Sequence, residues 1–177
     1  MIKGGDTMGD ELAYDGWLKV AQRKIGNKPY EILKDYDAVA AIIINDRKEL
    51  LLVKQFRPAL MEETCEIPAG TLDQKEESIE ACLVREIKEE TGLIVKPEEL
   101  VHFLTYKPNV GFSNSQMHMY AVKIQGDSAK SWKIRDDDVS EVLWVGFGAL
   151  EESVRLGRQQ DIKTILAYLY MKGLYSS

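Results

Sequence analysis

The chain is poor in the residues that metal-thiolate, disulfide-bonded and membrane proteins depend on. Only two cysteines, Cys65 and Cys82, occur in 177 residues, and their spacing suits no metal site. They point to buried thiols in a reducing compartment. The only two histidines, His102 and His118, lie far apart in sequence and argue against a zinc centre. No apolar run approaches the roughly 20 residues that cross a bilayer, which argues against a membrane partner. The N-terminus carries no signal-peptide core, so a soluble cytoplasmic protein is expected. Positive charge is short as well: 23 Lys and Arg face 29 Asp and Glu, a net charge of −6. That balance argues against nucleic acid as a partner, which needs a basic surface. An acidic protein can still take a phosphate-bearing ligand where a metal supplies positive charge locally.

What is present reads as one globular domain, with 45% hydrophobic and 29% charged residues. Residues 1–9 lack periodicity and are expected to be a mobile end. A strand over Trp17 to Ile25, the Gly26-Asn27 turn and a partner strand over Pro29 to Tyr36 make a hairpin. Ala38 to Asn45 is continuously apolar, the pattern of a buried central strand. Glu49 to Arg57 follows as the next strand, ended by Pro58. Thr64 to Gly70 reads as one short strand running into a helix. Strands over Leu100 to Tyr106, Gln116 to Ile124 and Val139 to Phe147 follow. A long loop, Gln125 to Asp138, holds Lys130, Lys133, Arg135 and three aspartates. Helices over Gly148 to Leu156 and Asp161 to Lys172 close the chain. The last has Ile162, Ile165, Leu166, Leu169 and Tyr170 at core spacing. The whole predicts an α/β fold, a mixed sheet covered on both faces.

The stretch Gly70 to Leu93 carries the chemistry. Its second half is one helix, with acidic start signals at Glu76 and Glu77 and Gly92 at its end. With Ile79 at zero and 100° per residue, Glu86, Glu90 and Glu89 fall at about 340°, 20° and 280°. Leu83 and Ile87 fall at about 40° and 80° by the same count, so the carboxylates border the apolar stripe. Glu86 and Glu90, at i,i+4, repel each other, and a position beside the core strips their hydration. A hard divalent cation would offset both costs. On helix geometry alone, a solvated acidic face with pairs such as Arg85 to Glu89 fits as well.

The same stretch resembles the Nudix box: Gly, five spacers, Glu, seven spacers, then Arg-Glu-aliphatic-any-Glu-Glu-any-Gly-aliphatic. From Glu77 through Arg85, Glu86, Glu89, Glu90, Gly92 and Leu93 the match is complete. Six residues, not five, separate Gly70 from Glu77, which reads as an insertion in the preceding loop. Gln55-Phe56-Arg57 and Glu66-Ile67-Pro68-Ala69-Gly70 are similar to segments of the ADP-ribose pyrophosphatase subfamily. Pro108, 15 residues past Leu93, and Gly111-Phe112-Ser113-Asn114 extend the likeness. Two positions depart from it. Asn109 and Val110 intervene between the proline and the glycine, and Ser115 stands where a Glu is common.

The resemblance implies a Nudix-type α/β/α sandwich with an N-terminal β-hairpin extension, residues 10–177 as one hydrolase domain, and residues 10–37 as a dimer element. It implies metal-dependent hydrolysis of ADP-ribose or a related nucleoside diphosphate sugar, with Mg²⁺ as the ion and Mn²⁺ as substitute. Glu86, Glu89, Glu90 and the Ala69 carbonyl would be ligands, and Arg85 would hold the carboxylates. Asp136 and Asp138 would be candidates for the general base. Arg57 would grip the pyrophosphate, Glu66 and Ser115 would lie at the substrate, and Trp17 would stand near the base at a homodimer interface. Two other functions share the box: a nucleotide-sensing module without turnover, and a house-cleaning nucleoside triphosphate hydrolase.

Overall fold

The computed structural model describes residues 10–125, 136 and 138–175. The expectation for residues 1–9 and most of that for the Gln125 to Asp138 loop lie outside them. Two sheets form. The first is an antiparallel sheet of β1 (Glu11–Asp15), β2 (Lys19–Ile25) and β3 (Lys28–Lys34). The expected hairpin is therefore three-stranded. Trp17 sits in the bend between β1 and β2, not in a strand. Gly26 takes a left-handed φ of 62° in the β2–β3 turn, a conformation that glycine adopts without strain.

The second sheet has seven strands. Its main path runs β10 (Val139–Gly146), β5 (Glu49–Arg57), β4 (Ala38–Asn45), β9 (Met117–Ile124), β8 (Val101–Tyr106). β4 pairs with β9 in parallel, and the other pairings are antiparallel. Alternation divides the core between the two faces. Ala40, Ile42 and Ile44 face one cluster with Leu150, Ala167, Tyr168 and Met171 of the last two helices, α2 (Phe147–Arg155) and α3 (Ile162–Tyr175). Val39, Ala41 and Ile43 face another with Cys82, Leu83 and Ile87 of α1 (Ile79–Thr91). The protein is thus an α/β/α sandwich. Full burial of each β4 isoleucine contributes on the order of 1.5–3 kcal/mol.

β4 and β5 meet only beside their turn, at Ile44 opposite Leu50, and then diverge. β6 (Glu62–Glu66) takes up the free edge of β5, from Val53 opposite Glu66 to Arg57 opposite Glu62. β7 (Ala69–Thr71) takes up the free edge of β4, from Ala38 opposite Thr71 to Ala40 opposite Ala69. The single strand expected over Thr64 to Gly70 is thus two, split at Ile67-Pro68. Proline offers no ladder donor there, while the Pro68 carbonyl accepts from the Ala41 amide at 2.9 Å. This fork between β4 and β5 is where the site is built.

The terminal helix also departs from the pattern read off its apolar residues. Ile162 and Leu169 are exposed, whereas Lys163, Thr164, Ala167, Tyr168 and Met171 are buried. Polar bonds turn the first turn inward. The Asp161 carboxylate accepts from the Thr164 amide (3.0 Å) and hydroxyl (2.6 Å), and the Thr164 Oγ1 accepts from the Ile67 amide at 3.0 Å.

Candidate active site

α1 begins one residue after its cap. Ser78 Oγ accepts from the Ala81 amide at 3.2 Å, and Gly92 closes the helix at φ 71° with its amide on the Lys88 carbonyl. The loop before it holds Glu76 at φ 70°, a left-handed turn residue beside the extra position of the box. The helix itself is undisturbed.

Two side chains tie this helix to the fork, and Arg85 braces it to the loop before it. Glu90, 2% exposed, accepts at Oε2 from the Ala69 amide at 3.0 Å. Glu86 lies against Gly70 so closely that a Cβ built there would overlap its carboxyl group. Arg85 donates from Nε and Nη2 to both oxygens of Glu77, each at 3.0 Å. Its Nη1 reaches Glu86 Oε1 (2.6 Å) and Glu89 Oε2 (3.1 Å). The bond to Glu77 is the main reason that the guanidinium is held more firmly charged than usual. Sequence reasoning gave Arg85 to the metal-side carboxylates. The structure adds Glu77, the first box glutamate, as its bidentate partner.

The carboxylates are short of positive charge. Burial pushes the Glu90 carboxyl up to about 8, and neighbouring Glu86 and Asp136 push in the same direction. Burial raises Glu86 as well, although Arg85 opposes it. Asp136 thus stands close enough to both to be felt. Its Oδ1 accepts from the Asp138 amide at 2.8 Å, while Asp138 itself is exposed. Buried carboxylates that repel one another suit a hard divalent cation. Among the described residues, no three His, Cys, Asp or Glu side chains converge tightly enough to hold an ion. Arg85 draws Glu86 and Glu89 toward itself instead. The two histidines, distant in sequence, meet across β8 and β9 through the Thr105 hydroxyl, at 3.1 Å from His102 and 3.0 Å from His118.

Beside Gly70 opens a cavity of about 270 Å³, lined by Arg57, Ala69, Gly70, Tyr106, Asp161 and Lys163, among others. Glu66 lies behind Arg57. Its Oε1 accepts from Arg57 Nε (2.7 Å) and the Thr64 hydroxyl (2.5 Å), and its Oε2 accepts from Arg57 Nη2 (2.5 Å) and Lys163 Nζ. Burial alone would raise the Glu66 carboxyl, but Arg57 and Lys163 bring it down to about 2. Lys163 escaped the sequence reading because only apolar spacing was counted on α3. A lysine inside an otherwise apolar helix start, two residues after Asp161, was the available signal.

The remaining candidates lie apart. Ser115 is buried, and its hydroxyl shares a hydrogen bond with Ser113 at 2.9 Å, so it orders the loop between β8 and β9. Trp17 is 77% exposed and does not line the Arg57 cavity.

Comparison with known proteins follows the same outline. The NUDIX domain model matches residues 34–168. The chain is 30% identical to an ADP-ribose pyrophosphatase of Bacillus subtilis (strain 168), over 80% of this chain and 75% of that one. It is 33% identical to an ADP-sugar pyrophosphatase of Mus musculus, over 80% of this chain and 67% of the other. It is 29% identical to a GDP-mannose pyrophosphatase of Cronobacter sakazakii (strain ATCC BAA-894), over 81% and 78%. Nudix hydrolases generally need divalent metal ions. The box on α1, the sandwich around it and these matches together make the chain a member of the NUDIX family and a pyrophosphohydrolase.

Proposed function

We propose that this enzyme hydrolyses the pyrophosphate bond of ADP-ribose or a related nucleoside diphosphate sugar, giving a nucleoside monophosphate and a sugar phosphate. The observation that carries the reading is the fork: Glu86 and Glu90 packed on Gly70 and Ala69, next to the cavity that Arg57 lines. Relatives acting, by name, on ADP-ribose, ADP-sugars and GDP-mannose support the substrate class and leave its base and sugar open. Glu86, Glu89, Glu90 and the Ala69 carbonyl would hold Mg²⁺, with Mn²⁺ as substitute. When bound, the ion neutralises phosphoryl oxygens and lowers the pKa of coordinated water.

The chain's own groups do the rest. Arg85 spaces Glu86 and Glu89 and limits their repulsion. Arg57, held by Glu66 through Nε and Nη2, presents the rest of its guanidinium to a phosphate oxygen. Asp136, near Glu86 and Glu90, takes the proton of the attacking water at a carboxylate oxygen, and the Asp138 amide holds Asp136 in place. Glu66 acts through Arg57, and Ser115 through the loop that carries Pro108. Replacing Glu86 by Gln tests the reading. Turnover should fall at least about 100-fold with the melting temperature unchanged; an active variant would sink the ligand assignment.

Residues 10–37 are proposed as the dimer element of one hydrolase unit spanning residues 10–177. The strands of the three-stranded sheet pair with one another, and the sheet meets the body at a parallel bridge from Leu33 to Ser113, where the Leu33 amide donates to the Phe112 carbonyl at 2.7 Å. Leu12, Tyr14, Trp17, Ile25 and Tyr30 are exposed on it, an apolar surface suited to a second copy that would bring Trp17 toward the base. Sedimentation should show a dimer that Trp17→Glu weakens. Both cysteines are free, which supports a cytoplasmic setting. No described helix is long and apolar enough to cross a membrane.

A further inference from the structure

Lys163 is the one lysine buried among the described residues, at 7% exposure. A buried ammonium is costly unless it is fully paired. Here Nζ donates to Glu66 Oε2 and to Asp161 Oδ1, the latter at 2.9 Å. Glu66 is also clasped by both Nε and Nη2 of Arg57 and by the Thr64 hydroxyl. Asp161 in turn caps α3 through the Thr164 amide and hydroxyl, and Thr164 accepts from the Ile67 amide at the floor of the fork. One continuous chain of charge-assisted bonds therefore runs from Arg57 to the start of the terminal helix. It contains two cations and two carboxylates, and Arg57, Asp161 and Lys163 all line the cavity beside Gly70.

We propose that Lys163 is a positioning residue for the reaction: through Glu66 it fixes Arg57 at the cavity wall and keeps that wall from turning negative. The inference rests on the pyrophosphohydrolase reading above. The charge count gives the mechanism. Without Lys163, Arg57 alone faces Glu66 and Asp161, and the wall carries one net negative charge toward an anionic substrate. Glu66 also loses one of its four donors and is free to turn, taking the guanidinium with it. Sequence distance hides the link, since 97 residues separate Glu66 from Lys163.

The test is a double-mutant cycle of Lys163→Met and Arg57→Ala, read as KM and kcat on the best nucleoside diphosphate sugar of the wild type, with thermal melting alongside. Lys163→Met should raise KM about 10-fold and change kcat by less than about 3-fold. Lys163→Arg should restore most of the lost affinity. In the Arg57→Ala background, Lys163→Met should change KM by only about 2- to 3-fold, because the positioning effect passes through Arg57 and only the added negative charge remains. Equal KM changes in both backgrounds would overturn the inference, as would a lower melting temperature with KM unchanged. If the Met variant does not fold, Lys163→Gln, which keeps a polar group at the site but removes the ammonium that clamps Glu66, carries the same cycle. A wild type that turns over no nucleoside diphosphate sugar would defeat the functional reading and this inference together. Wild-type turnover with an additive cycle would defeat the inference alone.

Discussion

Gly70 is where one added methyl group would do most harm. A Cβ there meets the carboxyl end of Glu86, on a face closed by β7 and α1. Gly70→Ala must push Glu86 out of its place or shift the strand, at a cost of about 1–3 kcal/mol. It should lower kcat/KM by about 10-fold or more, measurable in steady state beside a modest fall in melting temperature. Glu90 carries the opposite trade. Its folded carboxyl, near 8, lies above its ordinary value of 4.5. In metal-free protein its contribution is fully present below about pH 4.5 and is lost as pH rises through 8. Glu90→Gln should therefore be more stable than wild type in chelator above pH 7, by about 1–3 kcal/mol, and gain less from added Mg²⁺. Melting curves with chelator and with Mg²⁺ decide it. The grouping of Glu86, Glu89 and Glu90 on α1 was legible because helix geometry and box spacing coincide on them. Lys163 was not, because its value depends on a carboxylate from a distant strand.

Elements with one dominant signal were read almost to the residue. β4 shows an unbroken apolar run and β5 an apolar stretch from Leu50 to Val53, and both match their expected bounds. β1 was missed because all five of its residues are exposed and no alternation marks it. The face of α3 was misjudged because the Asp161 cap and the Lys163 pair outweigh the burial of Ile162 and Leu169. A buried ion pair broken on one side costs several kcal/mol, more than either side chain gains. The same network sets an acid limit. Glu66 is held at about 2 against an ordinary 4.5, so its stabilisation is complete above pH 4.5 and is lost as pH falls toward 2. The stability gap between wild type and Glu66→Gln should narrow by about 3 kcal/mol across that window, followed by urea unfolding.

At the scale of the molecule, a protein of net charge −6 must accept an anionic substrate. Local cations ease the conflict: Arg57 and Lys163 line the cavity beside Gly70, next to Glu86 and Glu90. The sandwich layers were foreseeable from strand and helix order, since a mixed sheet with helices at the end needs cover on both faces. The fork was not foreseeable, because the divergence of β4 from β5 shows only in their pairing. The most direct measurement is turnover of ADP-ribose, GDP-mannose and UDP-glucose by the wild type with Mg²⁺, with products resolved by mass. Expected are a nucleoside monophosphate and a sugar phosphate from at least one of them, lost with chelator. Absence of turnover with all three, or pyrophosphate released only from nucleoside triphosphates, would contradict it.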